Sequence, residues 1–161
     1  MNQLQKAEVD WKKIKVAIVV ARWNSLITDE MMKAAYDTLI NKGIPESHIV
    51  VARCPGSYEL PLASKKCFEH LDVDAVVAIG AIIRGGTPHF EYVCDAVNRG
   101  ITDLNLTIGK PVAFGVLTTD TVKQAKERAS IDKGNKGAEA AHAVCEMIEL
   151  EEALRERSKD F

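Results

Sequence analysis

Closely spaced cysteines are missing from this sequence: Cys54, Cys67, Cys94 and Cys145 lie far apart, and no C-x-x-C motif occurs. That spacing argues against a zinc site and a redox dithiol, and it suits a reducing cytosol. An excess of one charge is missing too. The 21 basic and 23 acidic residues leave a net charge of -2, which points to neither nucleic acid nor an anionic membrane surface as a partner. No apolar stretch approaches the ~20 residues of a membrane span, and the opening MNQLQKAEVDWKK lacks the apolar run of a signal peptide. Repeats, low-complexity tracts and linkers are absent as well. What remains is a chain of 161 residues, 47% of them hydrophobic, with the size and composition of one soluble, cytoplasmic domain that buries its core without disulfides or metal. We expect a single domain over residues 1–161. Residues 1–13 are expected to form an arm that either frays or adds a strand to a neighbouring subunit.

Strand-like and helix-like segments alternate along the chain. Val16 to Ala21 (VAIVVA) is a short β-branched run of the kind buried on both faces of a parallel sheet. Thr28 to Lys42 reads as a helix, with Asp29 and Glu30 in its first turn and Gly43 and Pro45 beyond its end. His48 to Arg53 is a second strand, Ala75 to Ile83 a third and the most apolar, and Val112 to Leu117 a fourth. Helical pattern runs from Tyr58 to His70 and from Pro88 to Leu106. Thr121-x-x-Gln124 forms a capping box for a short helix ending near Ser130, and after a GNKG loop a last helix covers Ala138 to Arg157. This βαβαβαβ order predicts an α/β protein. We expect a three-layer, flavodoxin-like domain whose four-stranded parallel sheet is flanked by helices on both faces, with the first strand inside.

Ligands in such sheets bind outside the carboxyl ends of the strands. Here those ends read Arg22-Trp23-Asn24-Ser25, Cys54 to Glu59, Arg84 to His89, and Thr118-Thr119-Asp120. In the third, Gly85 and Gly86 permit a tight turn with N–H groups close to a ligand. Thr87 suits an N-cap and Pro88 the first helical position. The N–H groups that follow, with the helix dipole, favour an anion such as phosphate. The same residues also make a plain strand-to-helix turn, and the segment is neither a Walker loop nor G-x-G-x-x-G. His89 sits in the first turn, and a histidine there can transfer a proton near neutral pH; alone, it reads more simply as a surface or capping residue. His48, His70 and His142 have no comparable context. His89-Phe90-Glu91 matches half of a zinc-deaminase signature, but the P-C-x-x-C half is missing, so no metal is expected.

The remaining strand ends supply aromatic and hydrogen-bonding groups. Trp23 and Tyr58 follow strand ends and can flank a flat heterocycle, whereas Phe114 lies within its strand, where core packing is the competing role. Ser57 and Glu59 can hydrogen-bond a polar ligand, although the helix dipole alone also favours a carboxylate at Glu59. Arg128, on the helix after the fourth strand, offers a fork for phosphate or is a solvated charge like Lys123 and Lys126. Arg84 draws no role from its sequence context. These residues describe a site for a flat polar heterocycle beside a phosphate-bearing small molecule, with one proton-transfer group between them, and they do not name the reaction.

Four segments go further. PGSYELP (Pro55 to Pro61), GAIIRGGTPHFEYV (Gly80 to Val93), FGVLTTDT (Phe114 to Thr121) and ERA...GNKGAEAA (Glu127 to Ala141) together resemble the 6,7-dimethyl-8-ribityllumazine synthase family, over a region from about Lys15 to Leu150. The resemblance implies a transferase acting at the penultimate step of riboflavin biosynthesis. Such an enzyme joins 5-amino-6-(D-ribitylamino)uracil to 3,4-dihydroxy-2-butanone 4-phosphate and releases phosphate and water, without metal or organic cofactor. It implies that Trp23 stacks on the pyrimidine, that Ser57, Tyr58 and Glu59 with Ala81, Ile82 and Ile83 hold the ribityl chain and ring, and that Phe114 completes the pocket. Gly86, Thr87 and Arg128 would bind the butanone phosphate, and His89 would transfer protons.

The family assembles as homopentamers, and some members build sixty-subunit icosahedral shells. The resemblance implies that the active site would lie at the subunit interface, where Trp23, Ser57, Glu59 and His89 would face Phe114 and Arg128 of an adjacent subunit. Riboflavin synthase is the partner protein this relationship brings into view. Position 23 is Trp where the family commonly has Phe, a larger face on which a flavin can also stack. Ser130 to Lys133 replaces a more usual glycine-containing stretch but keeps the length of shell-forming members. Two other readings stand beside the enzyme. A non-catalytic flavin-binding or shell-forming relative need not keep both His89 and Arg128, and this chain has both. A generic nucleotide-binding flavodoxin-like domain would need a phosphate loop after the first strand, where Arg22-Trp23-Asn24 stands.

Overall fold

The computed structural model describes residues 3–4 and 6–159. Four strands, β1 (Val16–Ala21), β2 (Ile49–Cys54), β3 (Ala75–Ile83) and β4 (Val112–Thr119), form one sheet in the order β2-β1-β3-β4, with every neighbouring pair parallel. Five α-helices accompany them: α1 (Ser25–Lys42), α2 (Leu60–Leu71), α3 (His89–Ile108), α4 (Val122–Ala129) and α5 (Lys136–Ser158). The sheet carries helices on both faces and the first strand lies inside it, as its all-apolar sequence requires: every residue of β1 is buried.

Successive side chains of a strand point to opposite faces, and the two inner strands feed two separate cores. Val16, Ile18 and Val20 join Val77 and Ile79 beneath α1, α4 and α5. Ala17 and Val19 join Val76 and Ala78 beneath α2 and α3. Ahead of β1, Val9, Trp11 and Ile14 pack against the first of these cores. The Lys42 ammonium sits 4.8 Å from the centre of the Trp11 ring and is bonded to Glu149 at 2.5 Å. The segment preceding β1 is thus seated on the domain from Val9 onward.

Several element boundaries differ from the sequence reading, each for a local reason. α1 starts at Ser25 rather than Thr28 because Asn24 adopts a left-handed conformation (φ 61°) and its carbonyl already accepts from the N–H groups of Ile27 and Thr28. Asp29 and Glu30 therefore lie beyond the first turn, and Asp29 pairs with Arg53 of β2 at 2.7 Å instead. Thr28 is fully buried, and its hydroxyl donates to the Ala21 carbonyl at 2.9 Å. A 3-10 turn over Ser57–Glu59 precedes α2. α5 opens at Lys136 because the Asn135 side chain accepts from the N–H groups of Gly137 and Ala138. The Thr121–Gln124 capping box forms as expected.

Gly137 lies where α5 crosses α1, and a β-carbon there would collide with the backbone carbonyl of Met31. Backbone cannot turn aside as a side chain can. Gly137→Ala is expected to lower stability by about 1–3 kcal/mol, as overpacking of a tight core does. The denaturation midpoint should then fall with its slope unchanged.

Candidate functional site

From β1 the chain moves outward to β2, then crosses back to β3 on the other side of β1. The crevice between β1 and β3 is therefore the topological switch point, the place where sheets of this kind take up ligands. The loop after β1 is tied down there on two sides. Arg22 N–H donates to the Cys54 carbonyl at 2.8 Å and Trp23 N–H to the Pro55 carbonyl at 3.1 Å. The Asn24 side-chain amide donates to the Ala81 carbonyl of β3 at 2.9 Å. An ordinary side chain avoids the left-handed backbone at Asn24, whereas asparagine tolerates it, and here its amide is used as well.

Trp23 stands over Gly56: a β-carbon at position 56 would lie 2.5 Å from the indole Cε3. Trp23 is nonetheless 62% exposed, so one side of the ring rests on backbone while much of the residue faces outward. Tyr58 is exposed to the same degree. Ser57 is buried and packs on Gly80 of β3, where any β-carbon would overlap its Oγ. Glu59 already has a structural bond, because its carboxylate accepts from the Gly56 N–H at 2.9 Å. Ala81 and Ile82 are buried in opposite cores, which leaves mainly their backbone to face a ligand. Ile83, the last residue of β3, is partly buried.

Cys54 ends β2 beside this loop, buried, with its thiol donating to the Gly56 carbonyl at 3.4 Å. Burial, reinforced by Glu59, pushes the thiol pKa up to about 11. Since the thiolate is the reactive form, Cys54 is expected to resist alkylation at pH 7–8 in the folded protein and to react in denaturant. Mass spectrometry of both samples checks this, and rapid labelling in the native state would contradict it.

The turn after β3 borders an open depression of about 350 Å³ lined by Arg84, Gly85, Gly86, Thr87, Pro88 and Glu91. Two details differ from expectation. Neither Gly85 nor Gly86 has a positive φ, and a β-carbon on either would meet nothing within 4 Å. These glycines leave open space at the turn rather than relieve backbone strain. Thr87 is not the N-cap: α3 begins at His89 with Pro88 in the capping position and no side-chain cap bond. The Pro88 carbonyl accepts from the Glu91 N–H at 3.1 Å. His89 is exposed at the first position of the helix.

Arg84 forms a cluster that local sequence pattern did not reveal. Its Nε donates to Asp120 Oδ1 at 2.8 Å, its Nη1 donates to Glu91 Oε1, and its guanidinium lies 4.3 Å from the centre of the Phe90 ring. The bond from Arg84 holds the Glu91 carboxyl below its usual pKa range. Asp120 and then Glu91 push the arginine further up. The partners are 7 and 36 residues away in sequence. No short motif signals the longer pairing.

Two expected site residues are not brought to this turn within one chain. Phe114 pairs in register with Ala78, five residues before the end of β3 at Ile83, which places it roughly 16 Å below the edge at ~3.3 Å per residue. It is half-buried against the α2/α3 core. Arg128 lies on α4, whose Ala125 and Ala129 enter the opposite core with α1 and α5. It is exposed, does not line the depression, and its side chain has no hydrogen-bond or ion-pair partner among the described residues. The described residues also contain no group of three or more His, Cys, Asp or Glu placed to hold a metal ion.

Trp23, Ser57, Tyr58, Glu59 and the Arg84–His89 turn thus lie along one sheet edge, while Phe114 and Arg128 belong to other surfaces. The family model described as 6,7-dimethyl-8-ribityllumazine synthase matches residues 13–152, from just before β1 into α5 and across every candidate site residue. The chain belongs to the 6,7-dimethyl-8-ribityllumazine synthase family.

Proposed function

We propose that the protein condenses 5-amino-6-(D-ribitylamino)uracil with 3,4-dihydroxy-2-butanone 4-phosphate to give 6,7-dimethyl-8-ribityllumazine, phosphate and water. Family membership places it in riboflavin biosynthesis. The observation that carries the specific reaction is the pairing, along one edge, of an exposed indole seated on Gly56 with an open glycine turn at the start of α3. The first suits a flat ring and the second a phosphate.

In this reading Trp23 stacks on the pyrimidine, and Ser57, Tyr58 and Glu59, with the backbone of Ala81 to Ile83, hold the ribityl chain and ring. Gly86 and Thr87 present N–H groups to the phosphate. The 5-amino group attacks the ketone carbon and water leaves to form an imine. Phosphate is then eliminated, the ring closes and a second water departs. His89, at the first position of α3, carries protons between these steps. Much of the acceleration comes from holding two reactants in register, which can supply several kcal/mol.

Phe114 and Arg128 enter this scheme from a neighbouring copy. The setback of Phe114 along β4 and the placement of Arg128 on the opposite layer support that arrangement. Leu26, Leu106 and Ile131 are each at least 80% exposed, apolar area that suits burial between subunits. We therefore take the working form to be a homopentamer, able in some relatives to extend to a sixty-subunit shell, with riboflavin synthase as the partner that uses its product. The domain is read as one unit over residues 1–161, with 1–13 as its arm. No helix among the described residues is long and apolar enough to cross a membrane, and we place the protein in the cytoplasm. Mixing purified protein with the two substrates should produce lumazine fluorescence and free phosphate together. No product above the uncatalysed rate would overturn the proposal.

A further inference from the structure

Two carboxylates stand beside the turn that receives the phosphate in the reading above. Glu91 lines the depression together with Gly85, Gly86 and Thr87, and Asp120 directly follows β4. Unpaired, each would oppose an incoming anion, because like charges a few ångströms apart repel even in water. A phosphate site flanked by free carboxylates would be poorly built.

Arg84 is bonded to both. Nε is committed to Asp120 and Nη1 to Glu91, Phe90 lies against the guanidinium, and the Arg84 backbone N–H donates to the Thr119 carbonyl at the end of β4 at 2.9 Å. A planar fork can reach two acceptors in different directions while stacking on a ring, and a lysine ammonium lacks that shape. The bond to Glu91 also joins the strand side of the turn to the first turn of α3, so it spans Gly86 and Thr87 and fixes the helix that begins with His89.

We propose that Arg84 is a positioning residue for phosphate binding: it gathers Glu91 and Asp120 onto one guanidinium, masks their charge from the anion and locks the turn against α3. This inference rests on the phosphate-substrate reading of the site and gives Arg84 no contact with the substrate. It differs in its consequences from direct phosphate binding by Arg84, because under charge masking the loss caused by removing the arginine is repaired by also removing the carboxylate it masks.

The test compares wild type with R84Q, R84K, E91Q and the double variant R84Q/E91Q. The readouts are KM for each substrate and Kd for inorganic phosphate by calorimetry. R84Q is expected to raise both the KM for the butanone phosphate and the Kd for inorganic phosphate about tenfold, the scale of exposing a like charge a few ångströms from the anion. The KM for the pyrimidine substrate should stay within about twofold, and the phosphate effect should shrink at high salt. R84K falls between, since it keeps the charge and loses the fork. R84Q/E91Q recovers part of the loss, with Asp120 still unmasked, and E91Q alone, which keeps Arg84, binds phosphate at least as tightly as wild type even if R84Q folds poorly. A double variant as weak as R84Q, a parallel rise in both KM values, or weaker phosphate binding by E91Q would overturn the inference. Wild type that binds phosphate but forms no product would refute the proposed reaction and leave the phosphate comparison decisive for Arg84. Wild type that binds no phosphate would refute the role of Arg84.

Discussion

Replacing His89 by alanine is expected to lower kcat by ~10²–10³-fold, within the usual range for losing a general acid or base, while the protein stays folded and both KM values remain close to wild type. His89 is exposed at the first position of α3, and α3 starts without a side-chain cap. Its removal therefore takes away neither packing nor a capping bond. What goes is a group placed beside the turn proposed to receive the phosphate. Measurable turnover should survive because the two substrates are still aligned, and alignment is a separate contribution from proton transfer. Steady-state kinetics with each substrate varied in turn provide the check. Complete loss of turnover with both substrates still bound would show that His89 does more than move protons. An unchanged kcat would remove it from the chemistry.

The second large effect is expected at Arg128. Arg128→Ala should raise the KM for the butanone phosphate by about 10- to 100-fold, because a hydrogen bond to a charged group contributes about 1.5–3 kcal/mol. The KM for the pyrimidine should change little. Thermal stability should hold, since Arg128 is exposed and without a partner among the described residues. An unchanged KM for the phosphate substrate would contradict the assignment. The proposed sharing of sites between subunits adds a second measurement. Mixed assemblies of His89→Ala and Arg128→Ala subunits contain some interfaces where an intact His89 meets an intact Arg128, so activity should exceed that of either variant alone. No recovery after co-assembly would place both residues in the same subunit's site.

The architecture was legible because its determinants are local and apolar. VAIVVA and AVVAIGAII are buried almost throughout, and the strand order followed from alternating elements and few permitted crossovers. Of the candidate site, the placement was legible: special residues cluster in sequence after β1, β2 and β3, and the fold brings those strand ends to one edge. Finer features were hidden for physical reasons. Thr87 looked like an N-cap by residue type, but α3 begins after Pro88. Asp29 looked like a first-turn carboxylate, but the left-handed Asn24 starts α1 earlier and Asp29 pairs across to β2. Arg84 appeared to have no role, since its bond to Asp120 exists only once β3 and β4 lie side by side. The need for glycine at positions 80 and 137 comes from a serine and a helix backbone pressed against them, neighbours that no local pattern names.

Gly56 gauges the space at this edge with a single hydrogen atom. The Trp23 ring rests on bare backbone there, and a methyl group at position 56 would lie 2.5 Å from ring carbon Cε3. To restore ordinary carbon–carbon spacing of about 3.5–4.0 Å, the indole would have to move outward by roughly 1 Å or more. In the proposed complex that displacement would be taken from the gap in which the heterocycle lies. Selectivity for the thickness and tilt of the ring is thus adjustable from a residue that need never touch it, by adding a side chain where the backbone alone now makes the hydrogen bonds.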